Sequence, residues 1–119
     1  MKNKYASLKP SITLFFIGKE PNDLRWFILL NERHAGGITI HSTNGSTFSY
    51  GIAIAPLLRR KGIASVALYM LFDLMKKKGY TLARTHIQLD NVASLRLHQA
   101  LGFTEIKQTN NIVTMERIL

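Results

Sequence analysis

The chain has 119 residues, of which 46% are hydrophobic, and its 16 lysines and arginines outnumber its 7 aspartates and glutamates to give a net charge of +9. This length suits one globular domain and is too short for two, so we expect a single domain over residues 1–119. The absence of cysteine excludes a disulfide framework, a thiolate metal site and a cysteine nucleophile. The positive charge favours anionic ligands without separating nucleic acids from phosphorylated small molecules.

Two further features bear on location. No apolar run approaches the roughly 18 residues of a membrane span, so we expect a soluble protein. The basic start of the chain precedes an apolar run that lacks a small-residue cleavage site, which argues against a signal peptide. Together with the missing cysteines, this predicts a cytoplasmic protein.

The first half of the chain predicts an antiparallel meander. Alternating and β-branched runs predict strands over residues 11–18, 24–30, 36–42 and 47–55, with turns at 19–23, 31–35 and 44–45. The Asn44-Gly45 pair is the signal for a type I′ turn.

The second half alternates helices and strands. Apolar residues at 63, 66, 67, 70, 71, 74 and 75 predict a helix over residues 63–78 that Gly79 ends. A strand over 81–89 follows, and the crossover helix makes it parallel to the strand ending at 55. A second helix begins at Asp90 or Asn91, with Ala93, Leu97, Ala100 and Leu101 facing inward and Gly102 closing it. Residues 103–108 and 112–119 form a last hairpin around Asn110-Asn111.

The segment between the fourth strand and the first helix predicts an anion site. Pro56 ends the strand, and Arg59, Arg60 and Lys61 precede Gly62 and the helix. The first N–H groups of a helix have no internal partner, and glycine lets a ligand approach the backbone. A phosphorylated ligand fits this arrangement, whereas the alternative is a simple turn glycine beside solvated charges.

The order Arg-x-x-Gly-x-Ala over residues 59–64 resembles the pyrophosphate-binding motif of the GNAT superfamily of N-acetyltransferases, which bind acetyl-CoA. The resemblance continues through Asn91 and Leu97-His98-Gln99-Ala100-Leu101-Gly102-Phe103. It implies a GNAT-like α/β fold with a mixed, mostly antiparallel central sheet, a splayed parallel strand pair and about two main helices.

The resemblance also implies the cofactor-binding residues. Ile52, Ala53 and Ile54 would contact the acetyl-pantetheine arm; Arg59, Arg60, Lys61, Gly62, Ile63, Ala64 and Ser65 would bind the pyrophosphate; and Asn91 would contact the pantetheine region. Asn91 is equally suited to cap the second helix, and both roles can hold at once.

Two histidines are the catalytic candidates for direct transfer to an amine. His98 stands where many relatives carry a tyrosine acid, on a helix face that it would share with Asn91 and that is not the buried one. The alternative for His98 is a histidine facing solvent. His86 matches the glutamate base of the ribosomal-protein alanine acetyltransferases, although an alignment error of one residue would make it a core or back-face residue. We expect His34 and His41 at the surface, and no metal.

One departure from the family concerns the acceptor. Relatives carry one or two helices between their first two strands, and here only residues 19–23 intervene. The acceptor site is therefore open, completed by a second subunit or reduced, and an exposed apolar face would favour a homodimer.

The resemblance implies acetyl transfer from acetyl-CoA to a primary amine of an unidentified acceptor, and the basic surface disfavours polyamines by repulsion. The alternative is a catalytically reduced CoA-binding module or a basic nucleic-acid-binding module. Nucleic acid is the weaker partner, because the cations cluster at the loop and at the end of the same helix with few aromatic residues between them.

Overall fold

The structure, a computed structural model, describes residues 11–119. Over these residues the chain forms β1 (Ile12–Phe16), β2 (Arg25–Leu30), β3 (Arg33–Asn44), β4 (Thr47–Ile54), α1 (Ile63–Lys77), β5 (Leu82–Gln88), α2 (Val92–Ala100), β6 (Thr104–Thr109) and β7 (Ile112–Ile118). The strands form one sheet in the order β1-β2-β3-β4-β5-β7-β6. β4 and β5 run parallel, and the pairs β1–β2, β2–β3, β5–β7 and β6–β7 run antiparallel. The predicted mixed sheet with two helices is confirmed.

The described chain divides into two compact units. The first contains residues 11–39 and 52–71, and the second contains residues 40–51 and 72–119. The single domain expected over residues 1–119 stays a prediction.

The first unit contains the hairpins that join β1, β2 and β3. Asn31 and Glu32 both have positive φ, of 50° and 70°, so they make a tight two-residue turn and β3 begins at Arg33. The predicted turn over residues 31–35 was therefore too long. The buried apolar side chains of this unit are Trp26, Ile28, Ala35, Ile38, Ile63, Ala67, Leu68 and Leu71.

The link between β1 and β2 has no helix, as predicted. Its turn is closed by the Asp23 N–H, which donates to the Glu20 carbonyl over 2.9 Å. Phe15 and Phe27 pair directly across these two strands, and they are 55% and 39% exposed. The strand pair thus presents an aromatic surface to solvent.

The second unit contains the parallel ladder, which covers three residue pairs, from Thr47 with Leu82 to Ser49 with Arg84. β5 continues to Gln88, and beyond the ladder its Thr85 hydroxyl donates to the Tyr50 carbonyl over 3.3 Å. The pairing of β4 with β5 therefore ends well before β5 does.

Two hairpin turns in the second unit show how φ selects turn type. The turn after β3 consists of Gly45 and Ser46, one residue later than the predicted turn of Asn44 and Gly45. Of these three residues, Gly45 has a positive φ, of 60°, and Asn44 and Ser46 do not. Type I′ needs positive φ at both central residues, so that prediction was wrong. Between β6 and β7, Asn110 and Asn111 have φ of 49° and 65°, as a type I′ turn requires.

Helix α1 ends where predicted but buries a shifted stripe. Its C-terminus is closed by Gly79 (φ 100°), whose N–H donates to Lys76, while the Tyr80 N–H donates to Met75. The buried residues of the helix are Ile63, Ala67, Leu68, Leu71, Phe72 and Met75. Val66 and Leu74, which belong to the apolar pattern that predicts the helix, are 46% and 37% exposed. The apolar residues on this helix outnumber those that its buried face can hold.

Candidate functional site

The segment that follows β4 is more ordered than the predicted loop. Pro56 opens a single 3₁₀ turn, Pro56–Leu58, because its fixed φ suits the first position of a helix and its missing N–H is not needed there. The chain then turns through Arg60 (φ 62°) and Gly62 (φ 76°) into α1. We call residues 59–62 the basic turn.

The backbone at the start of α1 is open to a ligand. Gly62 and the three cations of the basic turn are exposed, and a Cβ at Gly62 would meet no atom within 4 Å. The Gly62 carbonyl accepts the Val66 N–H over 3.3 Å, which leaves the N–H groups of Ile63, Ala64 and Ser65 without intrahelical acceptors. The first helical turn carries no acidic residue that would repel an anion from these amides.

The cations of the basic turn carry uncompensated charge. Among the described residues, neither Arg60 nor Lys61 has an ion-pair partner. The Arg59 Nε donates to the Ile54 carbonyl over 3.0 Å, which folds the side chain back over the end of β4. Its two terminal nitrogens make no hydrogen bond within the described part of the chain. Three positive charges thus remain available to an anion.

A cavity of about 500 Å³ lies beside the basic turn within the first unit. It is lined by Ile17, Arg25, Trp26, Phe27, His34, Gly36, Gly37, Ile38, Thr39, Ala53, Ile54, Ala55, Pro56 and Arg59. The Ala55 N–H donates to the Ala35 carbonyl over 2.8 Å and holds β3 against the end of β4. A side chain at Gly36 would collide with the Ala53 carbonyl, so this close approach requires glycine there. Of the predicted acetyl-pantetheine residues, Ala53 and Ile54 line the cavity.

His34 is a cavity residue that the sequence did not reveal. It lies on β3, and its ring packs edge-on against Phe27 with 4.7 Å between the centroids. Neither ring nitrogen has a hydrogen bond among the described residues. The predicted turn over residues 31–35 included His34, so its position on a strand beside a cavity was not predicted. No local signal in the sequence indicates that position.

Asn91 caps α2 in the second unit. Its Oδ1 accepts the Ser94 N–H over 3.2 Å, and its φ and ψ of −84° and 72° are not helical. The capping role is therefore confirmed. Its amide nitrogen has no hydrogen bond within residues 11–119, so the side chain retains two donors for a ligand.

His98 is buried, contrary to prediction. Only 1% of the residue is exposed, whereas Ala93 and Ala100, which were expected inside, are exposed. The seven-residue spacing misled because Asn91 stands before the helix with non-helical dihedrals, so it does not share a helix face with His98. The solvent-facing alternative for His98 is also wrong.

Both ring nitrogens of His98 are bonded inside the protein. Nδ1 donates to the Ser94 carbonyl over 2.8 Å, because a carbonyl only accepts, and Nε2 then accepts the Tyr50 hydroxyl over 2.8 Å. Burial lowers the pKa of His98, opposed by its bond to Ser94, and burial raises the pKa of Tyr50. The pair is thus a neutral, buried link between β4 and α2, and neither ring nitrogen is free for a substrate.

His86 is exposed on β5, so it is not a core residue. Its Nδ1 lies 3.1 Å from the Thr114 hydroxyl on β7, while its Nε2 has no hydrogen bond among the described residues. Two residues away, the Arg84 guanidinium forms an ion pair with Glu116, with 2.6 Å between Nε and Oε2. The structure therefore places an available imidazole nitrogen on a polar strand surface.

Metal-binding clusters and membrane-spanning helices are both absent from residues 11–119. These residues contain no group of three or more His, Asp or Glu side chains that could hold a metal ion. None of their helices combines the length and the apolar character that crossing a lipid bilayer requires.

Known proteins resemble this chain in sequence or in fold. The chain is 28% identical to the uncharacterized protein MJ1062 of Methanocaldococcus jannaschii, in an alignment that covers 79% of this chain and 23% of that protein. The chain thus spans about a quarter of that relative's length. Among solved structures, an IAA acetyltransferase from Bacillus cereus is similar with a TM-score of 0.80 and 17% identity, over 92% of this chain and 100% of that one.

Another similar structure is the PaiA N-acetyltransferase from Thermoplasma acidophilum in complex with coenzyme A. Its TM-score is 0.76 at 18% identity, over 82% of this chain and 62% of that one. The model of the acetyltransferase (GNAT) family matches residues 3–103. With most of its 119 residues inside that match, the chain belongs to the acetyltransferase (GNAT) family.

Proposed function

We propose that this protein transfers an acetyl group from acetyl-CoA to a primary amine by direct attack. The observation that carries the proposal is the basic turn, which is exposed, holds Gly62 at positive φ and leads into the free amides of α1 beside a cavity. These features suit a diphosphate. The absence of cysteine from the chain supports direct transfer and a cytoplasmic location.

Different residues bind different parts of the cofactor. The amides of Ile63, Ala64 and Ser65, with the cations Arg59, Arg60 and Lys61, bind the pyrophosphate. Ile52, Ala53 and Ile54 contact the acetyl-pantetheine arm, and Asn91 offers it an amide donor. A variant isolates this last role: Asn91→Asp keeps the helix cap and loses the donor, so we expect weaker CoA binding at unchanged stability. Unchanged affinity would leave Asn91 as a cap alone.

The chemistry needs a neutral amine. Acetyl-CoA supplies the thioester; the amine nitrogen bonds to its carbonyl carbon, the carbon–sulfur bond breaks, and the thiolate leaves. We assign removal of the amine proton to His86, because its Nε2 is available to accept a proton and imidazole is a common general base. The predicted acid role of His98 remains open to test, and its two internal hydrogen bonds favour a structural role.

A screen of amine acceptors, monitored by the release of free thiol, tests the activity. With a competent acceptor, we expect His86→Gln to lower kcat about 100-fold at pH 7, since general-base catalysis contributes about 10²–10⁴-fold. His41→Gln is the matched control, because His41 is also an exposed strand histidine of the second unit. A rate for His86→Gln equal to that of the control would assign the proton to water or another group.

Calorimetric titration separates the enzyme from the binding modules. We expect CoA and acetyl-CoA to bind and a duplex oligonucleotide to bind weakly or not at all. Binding of CoA with no turnover of any acceptor would favour the catalytically reduced module. Binding of the oligonucleotide alone would refute the proposal and assign the positive charge to nucleic acid.

The exposed aromatic pair on β1 and β2 supports a homodimer. Phe15 and Phe27 pair directly across the two strands and are exposed. Burial of this surface between two copies would remove apolar area from water. Sedimentation should show a dimer that Phe15→Lys converts to a monomer, and a monomeric wild-type protein would contradict this.

A further inference from the structure

The cavity beside the basic turn has an unusual balance of charge. Three of its lining residues are titratable, Arg25, His34 and Arg59, and none is an aspartate or glutamate. A cavity that receives an amine with further positive charges needs carboxylates to stabilise them. Here an additional ammonium group would find no free carboxylate and would face the Arg59 guanidinium, which has no ion-pair partner among the described residues.

Asp23, the neighbouring carboxylate, is paired with Arg25 and is therefore not free to pair with a cationic acceptor. It accepts from Arg25 twice, with Nε–Oδ1 at 2.6 Å and Nη2–Oδ2 at 2.8 Å, and from the Lys19 N–H over 3.2 Å. These bonds lower the pKa of Asp23, with the Arg25 hydrogen bond as the main cause, so its charge persists and is compensated. The remaining terminal nitrogen of Arg25 has no partner among the described residues.

The walls of the cavity are apolar. Phe27 lines the cavity from the exposed side of β2, and Ile17 and Ile54 are further apolar lining residues. The volume of about 500 Å³ lies within the range of small-molecule sites. The cavity therefore has room for an aromatic or branched side group near the strand end at Ala53 and Ile54.

We propose that this cavity selects the acetyl acceptor, and that the acceptor is a small amine with an aromatic or branched apolar body and a carboxylate. The proposal rests on the acetyl transfer proposed above and names its acceptor class. The apolar body packs against Phe27. The carboxylate accepts from the free donors of Arg25, a charge-assisted bond that an uncharged analogue cannot make. Polyamines are poor acceptors because the cavity offers them no counter-charge.

Trp26 supplies a readout that does not depend on turnover. It is the only tryptophan of the chain and lies between the cavity residues Arg25 and Phe27, so we expect intrinsic fluorescence in the presence of CoA to change when a ligand occupies the cavity. We expect phenylalanine to change the emission at the lowest concentration. Phenethylamine, which lacks only the carboxylate, should need about tenfold more, and spermidine should produce no change.

A variant pair tests the role of Arg25. In Arg25→Gln we expect the tenfold preference for phenylalanine over phenethylamine to disappear. Arg84→Gln is the control, because Arg84 also lies on a strand in a carboxylate ion pair, with 38% of its side chain exposed against 45% for Arg25. The control should retain the preference.

The outcomes separate this inference from the proposed function. Release of thiol with phenylalanine, together with the expected fluorescence order, supports both. The fluorescence order without thiol release supports the cavity assignment and overturns acetyl transfer. Thiol release with spermidine at least as fast as with phenylalanine, or an unchanged Trp26 emission with every probe, overturns the acceptor class.

Discussion

The basic turn and the His98–Tyr50 pair are opposite kinds of site. The basic turn exposes three cations without ion-pair partners among the described residues, and its glycine has empty space on the side where a Cβ would stand. The pair is buried and satisfies its polar atoms internally. A region with unpaired charge and open backbone suits a ligand, whereas a region with closed hydrogen bonds suits stability.

A negative charge placed on the basic turn should have the greatest effect. Gly62→Glu should lower CoA affinity by more than about 100-fold, because a carboxylate there opposes the phosphates. Gly79→Glu is the matched control, since Gly79 also has positive φ and open space around it, at the other end of α1. Calorimetry should show loss of binding in the first variant and retention in the second. Equal affinities would remove the ligand from the turn.

The next largest effect is expected when the buried imidazole of His98 is removed. His98→Ala should lower the free energy of unfolding by about 2–4 kcal/mol, because it opens a cavity and leaves the Tyr50 hydroxyl without its acceptor. His41→Ala, at an exposed strand position, should change it by less than about 0.5 kcal/mol. Urea denaturation measures both. A stable His98→Ala variant with lower turnover would restore the catalytic assignment.

The pH dependence of stability also reports on the buried pair. The pKa of His98 in the folded protein lies below its ordinary value of 6.5, so below that pH the unfolded chain binds more protons than the folded one. Stability contributed by His98 is therefore present above pH 6.5 and is lost as the pH falls below it. Thermal denaturation between pH 5 and 7 should show a smaller slope for His98→Gln than for wild type. Equal slopes would contradict a neutral, buried imidazole.

A smaller change in stability is expected at the turn that brings His34 into the cavity. Glu32 has a φ of 70°, a backbone conformation that residues other than glycine and asparagine rarely adopt. Glu32→Gly creates the Asn-Gly pair favoured in type I′ turns, so we expect a gain of about 0.5–1 kcal/mol in stability. A loss of stability on denaturation would show that this turn is held by contacts of the Glu32 side chain.

Local signals explain which parts of the fold could be predicted. Pro56, the basic turn and the onset of α1 follow one another within a few residues, so composition and spacing suffice. The same holds for Asn110 and Asn111, whose type I′ turn needs only residues that tolerate positive φ. The parallel direction of β5 follows from the helix that precedes it.

The features that were not predicted depend on residues distant in the chain or on unusual backbone conformations. The burial of His98 depends on Tyr50, which is 48 positions earlier in the chain and gives no local signal. His34 was missed because Glu32 adopts a conformation that its residue type disfavours, so the predicted turn was too long. The residues that α1 buries could not be chosen from the sequence, because apolar residues lie on more than one face of this helix.

The most direct test of the central claim follows the backbone amides by NMR during titration with CoA and with pantetheine, which lacks the phosphates. We expect CoA to shift the amide signals of Gly62, Ile63, Ala64 and Ser65, and pantetheine to leave them unchanged. Both ligands should shift Ile54 at the end of β4. If the amide signals of residues 62–65 do not shift with CoA, or shift equally with pantetheine, the diphosphate site at the start of α1 is contradicted.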